Sequence, residues 1–358
     1  MKMHKYKYKY GVPATRAVGL GFAALVMCAV LLIACGGGGS NISQPPPIVA
    51  PNQIGSVTLV QNINPCPLST VSPPVTGDAC MNLSVSCPGV AAYNDAVHLK
   101  VSNAIGPSKG TVIFTTGGGG NLFYEDQFAF GNKAVNDVVN AGFTVVQTKF
   151  ASPVGWLDGP GGPLLLSCRW ATTAQWVHDN VRAVNTAFCA TGNSAGAGAI
   201  AYALSRYGED SIFDFVEPTG GPPFSRVDQG CLCNNPTQVS DCAGANGICY
   251  GNDANLFLDP AYGNNHCSSN SNNSNDIAQW QADSILSSDN KSILNYKTRI
   301  HSIFGSLDHG TGSAEAVLWE NAITSQHDFE CVPNAPHLIA DVIEGADAVS
   351  NGLISNCH

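Results

Sequence analysis

The residues best placed to do chemistry begin with a serine between two glycines. Gly192-Asn193-Ser194-Ala195-Gly196 separates a short apolar run, residues 186–191 (TAFCAT), from an alanine-rich stretch, residues 195–207. The first reads as a strand and the second as a helix, so the pattern G-x-S-x-G falls on a strand-to-helix turn. Such a turn strains the backbone and lifts the hydroxyl above the sheet. The flanking glycines let the helix pack close without a β-carbon clash. The pentapeptide alone is a weak signal, and a second copy, Gly106-Pro107-Ser108-Lys109-Gly110, shows why. That copy is followed by a strand, and a Gly-Pro-Ser turn explains it fully, so Ser108 is rejected as a nucleophile. A serine hydroxyl is weakly nucleophilic at neutral pH unless an imidazole takes its proton, and the imidazole needs a carboxylate to fix its tautomer. A further chemical feature is the run Thr115-Thr116-Gly117-Gly118-Gly119-Gly120. It lacks the Gly-Lys-Ser/Thr ending of a phosphate cradle.

The segments that must position these residues alternate. Strands are expected at 80–87, 95–104, 111–116, 143–148, 186–191, 213–217, 299–304 and 328–332. Helices are expected at 132–140, 168–180, 195–207, 277–286 and 314–324, with a last one from 338. This alternation builds a mainly parallel sheet covered on both faces. Residues 224–272 break the pattern: they are rich in Asn and Gly, lack periodicity and hold Cys231, Cys233, Cys242, Cys249 and Cys267. So long an aperiodic stretch reads as a cap pinned by disulfides. Five is odd, so at least one of these cysteines pairs outside the segment or stays free. A zinc cluster with His266 is the rival, but the spacings match no familiar Cys/His pattern, and no metal or cofactor is expected. Trp156, Phe123 and Tyr124 could wall a substrate pocket or simply pack the core.

Composition narrows the class. The chain has 358 residues, 44% hydrophobic and 12% charged, with a mean hydropathy of +0.04. That suits one sizeable globular domain with a leader and excludes a coiled coil or a polytopic membrane protein. Residues 17–34 form a long apolar run, preceded by Lys2, Lys5, Lys7, Lys9 and Arg16 and by no acid, the layout of an export signal over 1–34. Leu32-Ile33-Ala34-Cys35 resembles the lipobox of bacterial lipoproteins, which implies lipidation of Cys35 and anchoring to the membrane at the cell envelope. Plain secretion or a retained helix are the alternatives. Residues 35–55, rich in Gly, Ser, Asn and Pro, read as a flexible tether. Beyond the leader, eleven Lys and Arg face 26 Asp and Glu, a formal charge of −15. Such a body repels nucleic acid. The twelve cysteines left after Cys28 and Cys35 allow up to six disulfides in an oxidising compartment.

With Ser194 in this setting, the chain resembles the α/β-hydrolase superfamily, specifically its secreted serine esterases and lipases, over residues 80–350 or so. The resemblance implies an α/β-hydrolase fold over 56–358 with the cap inserted. In that superfamily the acid and the histidine follow the serine, each in a loop after a late strand. It thereby implies Asp308, after RIHSIF, as the acid and His337, after DFECV, as the base. His327 stands at the entry of that last strand, the wrong end, and His309 reads as a solvated neighbour of Asp308. For the oxyanion the resemblance implies the amide of Ala195 and one from the glycine run between Gly117 and Gly120, with Gly118 and Gly119 as candidates; the run lacks the leading histidine of related motifs. The expected activity is hydrolysis of carboxylic esters (lipid, aromatic or polyester) with no obligate protein partner. A peptidase on the same fold and a non-catalytic surface-binding lipoprotein are the alternatives.

Overall fold

The computed structural model describes residues 52–64, 66, 71–91, 93–233, 238–240, 242, 244–287 and 292–358. The expected leader, Cys35 and nearly all of the expected tether lie outside the described residues. Eleven strands are present among them: β1 (Ser56–Ile63), β2 (Ala79–Ser86), β3 (Tyr93–Ser102), β4 (Gly110–Thr115), β5 (Phe143–Phe150), β6 (Ala187–Asn193), β7 (Phe215–Thr219), β8 (Gln238–Ser240), β9 (Gly244–Asn246), β10 (Arg299–Gly305) and β11 (His327–Val332). Nine of them form one sheet in the order β1-β2-β3-β5-β4-β6-β7-β10-β11. The strands from β5 to β11 run parallel, and β1, β2 and β3 pair antiparallel at one edge, with β3 antiparallel to β5.

The central strands are buried along their whole length because both faces are covered, which is why β4 and β6 read as apolar runs without alternation. Alternate residues still divide between two cores. Val112 and Phe114 pack with Val135 and Val138 of the helix Gly131–Asn140 and Leu353 of the helix Ile343–Asn356. Ile113 packs on the other face with Trp170 of the helix Cys168–Asn180 and Ile200 of the helix Ala195–Tyr207.

The connections place the chemistry. After β4 the chain steps to one side, to β5, and then returns to the other side of β4, to β6. Where strand order reverses, the loops beyond the carboxyl ends diverge and leave a crevice. The glycine run leaves β4 there and Ser194 leaves β6 there, with Thr115 paired to Gly192.

Between β7 and β10 lies the insertion. It carries the small β8–β9 hairpin and the helix Val227–Leu232, against which the helix Ser274–Asp283 packs. The disulfides Cys231–Cys267 and Cys233–Cys249 close it internally, and Cys242–Cys331 ties it to β11. The odd cysteine of the segment thus does pair outside it. Cys66–Cys80, Cys87–Cys168 and Cys189–Cys357 staple the remainder. Within the insertion, expected to lack regular structure, the β8–β9 hairpin and the helix Val227–Leu232 were not foreseen, and two elements outside it also differ from expectation. β1 was not foreseen, because as an edge strand it exposes residues on both faces and shows no buried stripe. The last long helix starts at Ile343, since residues 339–341 form a separate short turn.

Candidate active site

Ser194 has φ 53° and ψ −119°, a backbone conformation that side-chain-bearing residues rarely adopt. Its amide donates to the Thr219 carbonyl at 2.8 Å, which anchors the turn to β7. The two glycines of the motif are required by contact. A β-carbon on Gly192 would lie 2.6 Å from Thr115 Cγ2, and one on Gly196 2.8 Å from the Thr116 carbonyl oxygen. The elbow is therefore wedged against the loop that leaves β4.

Asp308 and His337 come together from the ends of β10 and β11. His337 Nδ1 lies 2.8 Å from Asp308 Oδ2, with the Asp308 side chain 1% exposed and the His337 ring 36% exposed. The loops that carry them interlock: the Leu307 amide donates to the Ala335 carbonyl at 3.0 Å, and a β-carbon on Gly305 would lie 2.3 Å from that same oxygen. Gly220, at φ 54°, lets the His337 backbone close over it; a β-carbon there would lie 2.6 Å from the His337 carbonyl oxygen.

Electrostatics fit this pair. Burial works to raise the Asp308 carboxyl, but the hydrogen bond and charge of His337, the Ser313 hydroxyl and the Gly310 amide together hold it below the usual carboxylate range. Burial works to lower the His337 imidazole, but the bond to Asp308, the Asp308 charge and the nearby Asp253 charge leave it raised above 6.5.

Ser194 and His337 line one cavity of about 120 Å³, together with Ala195 and Gly118. Ser194 Oγ and the ring are not hydrogen-bonded to each other among the described residues; such bonds often tighten only once substrate is bound. The glycine run is divided by the structure. A β-carbon on Gly117 would lie 3.1 Å from Ser194 Cβ, and Gly118 reaches the cavity. Gly119 is not in the cavity lining; its carbonyl accepts from the Trp156 amide at 2.8 Å, and a β-carbon on it would lie 2.1 Å from the Val154 carbonyl oxygen.

The other candidates lie elsewhere. Ser108 Oγ donates to the Gly110 carbonyl, at the opposite end of β4. His327 begins β11 and its Nδ1 faces the Ser325 carbonyl at 2.8 Å. His309 is exposed beside Asp308. Trp156 and Tyr124 are fully buried and lie outside the cavity lining. Tyr124 packs on Phe114 and Phe128, so these aromatics belong to the core.

The cavity wall instead comes from the insertion, with Phe224, Tyr250 and Phe257 joined by Asp253. Nothing periodic in the sequence marks them. Phe224 and Tyr250 are braced by Glu315, a buried carboxylate on the helix Thr311–Ala322. It accepts from the Phe224 amide at 2.5 Å, the Arg226 amide at 3.2 Å and the Tyr250 hydroxyl at 3.0 Å. Asn193 was also missed: its Oδ1 accepts from the Ile339 amide at 3.2 Å and from Thr219 Oγ1 at 3.1 Å, joining the loop after His337 to the elbow.

No protein-family model matches the chain, and no curated protein matches it. Among solved structures it is similar to puromycin hydrolase, at TM-score 0.51 and 11% identity over 80% of this chain and 40% of that one. A thermostable carboxyl esterase from Bacillus coagulans matches at TM-score 0.47 and 14% identity over 77% and 97% of the two chains. Dienelactone hydrolase from Anabaena variabilis matches at 0.44 and 13% over 77% and 94%. Identities this low speak for the fold alone, which is that of the α/β hydrolases, as the sequence led one to expect.

Proposed function

Starting from that fold, we propose that the protein is an exported serine hydrolase that cleaves carboxylic esters through an acyl-enzyme on Ser194. The single observation that carries this reading is the His337–Asp308 hydrogen bond in a cavity that also holds the strained Ser194. His337 Nε2 takes the Ser194 proton as Oγ attacks the ester carbonyl carbon. The Ala195 and Gly118 amides donate to the oxyanion that forms. His337 then gives its proton to the leaving alcohol, and the acyl group stays on Ser194. Water, deprotonated by the same ring, attacks that acyl group; the bond to Ser194 Oγ breaks, the ring returns the proton to Oγ, and the acid leaves. Throughout, Asp308 accepts from Nδ1–H, fixing the tautomer that leaves Nε2 free to act as base.

Cavity size bears on the substrate. A cavity of ~150 Å³ accepts benzene, so one of about 120 Å³ suits a short acyl or alkyl group rather than an extended chain. For location we propose export and a lipid anchor at Cys35, supported by the basic and apolar leader in the sequence and by six disulfides, which persist in oxidising compartments. Replacing Ser194 by Ala tests the chemistry: turnover of p-nitrophenyl acetate falls at least ~1,000-fold. Full activity in that variant refutes the proposal.

A further inference from the structure

We propose that Asp253 makes this cavity selective for esters bearing an ammonium group. The inference rests on the hydrolase reading above and goes on to name its substrate class. Asp253 sits in the insertion, its amide bonded to the Tyr250 carbonyl at 2.9 Å, and it lines the cavity beside His337. No lysine or arginine lines that cavity. The other charged partner of the reacting pair, Asp308, is already committed to His337, Ser313 and Gly310. The Asp253 side chain joins no ion pair among the described residues, and the one cationic group near enough to act on it is His337. Asp253 is exposed, and in a cavity wall without a lysine or arginine its carboxylate attracts a cation brought by the substrate.

The rest of the wall suits the same guest. Phe224, Tyr250 and Phe257 present aromatic rings to the cavity, and aromatic faces attract ammonium groups. A trimethylammonium head is no larger than the benzene that cavities of this order accept. Anionic substrates meet repulsion instead, from Asp253 nearby and from a chain of net charge −10.

The test uses substrate pairs that match in shape and differ by one charge. Choline acetate against 3,3-dimethylbutyl acetate places the charge on the alcohol; methyl 4-trimethylammoniobutanoate against methyl 5,5-dimethylhexanoate places it on the acyl group. For the full mature chain, the ratio of kcat/KM, charged over neutral, is about tenfold or more in at least one pair at low salt. It falls toward unity in Asp253→Asn and in high salt, while a group acting only through His337 changes both members of a pair alike. A ratio near unity in both pairs, or one unchanged in Asp253→Asn, overturns the proposal. Neutral esters turned over without charge preference leave the hydrolase reading standing. No turnover of any ester, together with no fluorophosphonate adduct on Ser194, removes that reading itself.

Discussion

Removing the Glu315 carboxyl tests how the insertion is held over the cavity. Its two oxygens accept from the amides of Phe224 and Arg226 and from the hydroxyl of Tyr250, all at a fully buried site. In Glu315→Ala these three donors lose their acceptor. A buried donor left unpaired costs ~1–3 kcal/mol. Because small shifts and entering water recover part of the loss, a total of about 3–5 kcal/mol is expected from a stability in the usual range of ~5–15 kcal/mol. The variant therefore folds, with a reduced margin. Urea unfolding at pH 6 reads that difference directly. Phe224 and Tyr250 also wall the cavity, so KM for short-chain p-nitrophenyl esters rises several-fold while kcat changes less. A loss below ~1 kcal/mol with KM unchanged would show that the carboxyl braces nothing.

Three further outcomes are expected. The base must be neutral to act, and His337 is raised above 6.5, so kcat/KM falls with acid from a midpoint above pH 6.5, which a profile flat to pH 5 would contradict; Asp308→Asn lowers kcat by ~1,000- to 10,000-fold, which near-wild-type turnover in that variant would contradict. Burial is the largest influence on Glu315, Glu320 and Asp283 and pushes each to about 7, from 4.5, 4.5 and 3.8. Their contribution is fully present below about pH 4 and lost as pH rises through 7, while the lowered Asp308 and Asp328 lose theirs as pH falls below 4, so Tm is higher at pH 5–6 than at pH 8; the reverse order refutes the assignment. Gly196→Ala sets a β-carbon 2.8 Å from the Thr116 carbonyl, costing ~1–3 kcal/mol and displacing the Gly118 amide relative to Ser194, so esterase activity drops with stability; wild-type values for both would refute the wedge.

The parts legible in the sequence are those with strong local physics. β4 and β6 are buried on both faces, and their apolar runs announce that directly. Ser194 was identifiable because a strand, two glycines and an alanine-rich helix meet around it, whereas Ser108 has a strand on its far side. Asp308 and His337 were sought at strand ends, and the structure joins them by a hydrogen bond that no local pattern encodes. What escaped had no such signal. β1 is an exposed edge. Phe224, Tyr250, Phe257 and Asp253 sit in a segment ordered by disulfides and by Glu315, a residue far along the chain, so neither period reveals which side chains face inward. Parity required at least one cysteine of that segment to pair elsewhere or stay free, and only folding brings Cys242 to Cys331. Asn193 acts through a bond to Ile339, 146 positions away, and Trp156 and Tyr124 turned out to fill the core beneath the site.

The central claim is that Ser194 is a nucleophile made reactive by His337. Treating the folded chain with a fluorophosphonate and mapping the adduct by mass spectrometry tests it most directly. The account predicts one phosphonyl group per chain, on the peptide containing Ser194, with labelling slowed at least ~100-fold in His337→Ala. An unlabelled chain, an adduct on another residue, or labelling at the same rate without the imidazole would contradict it.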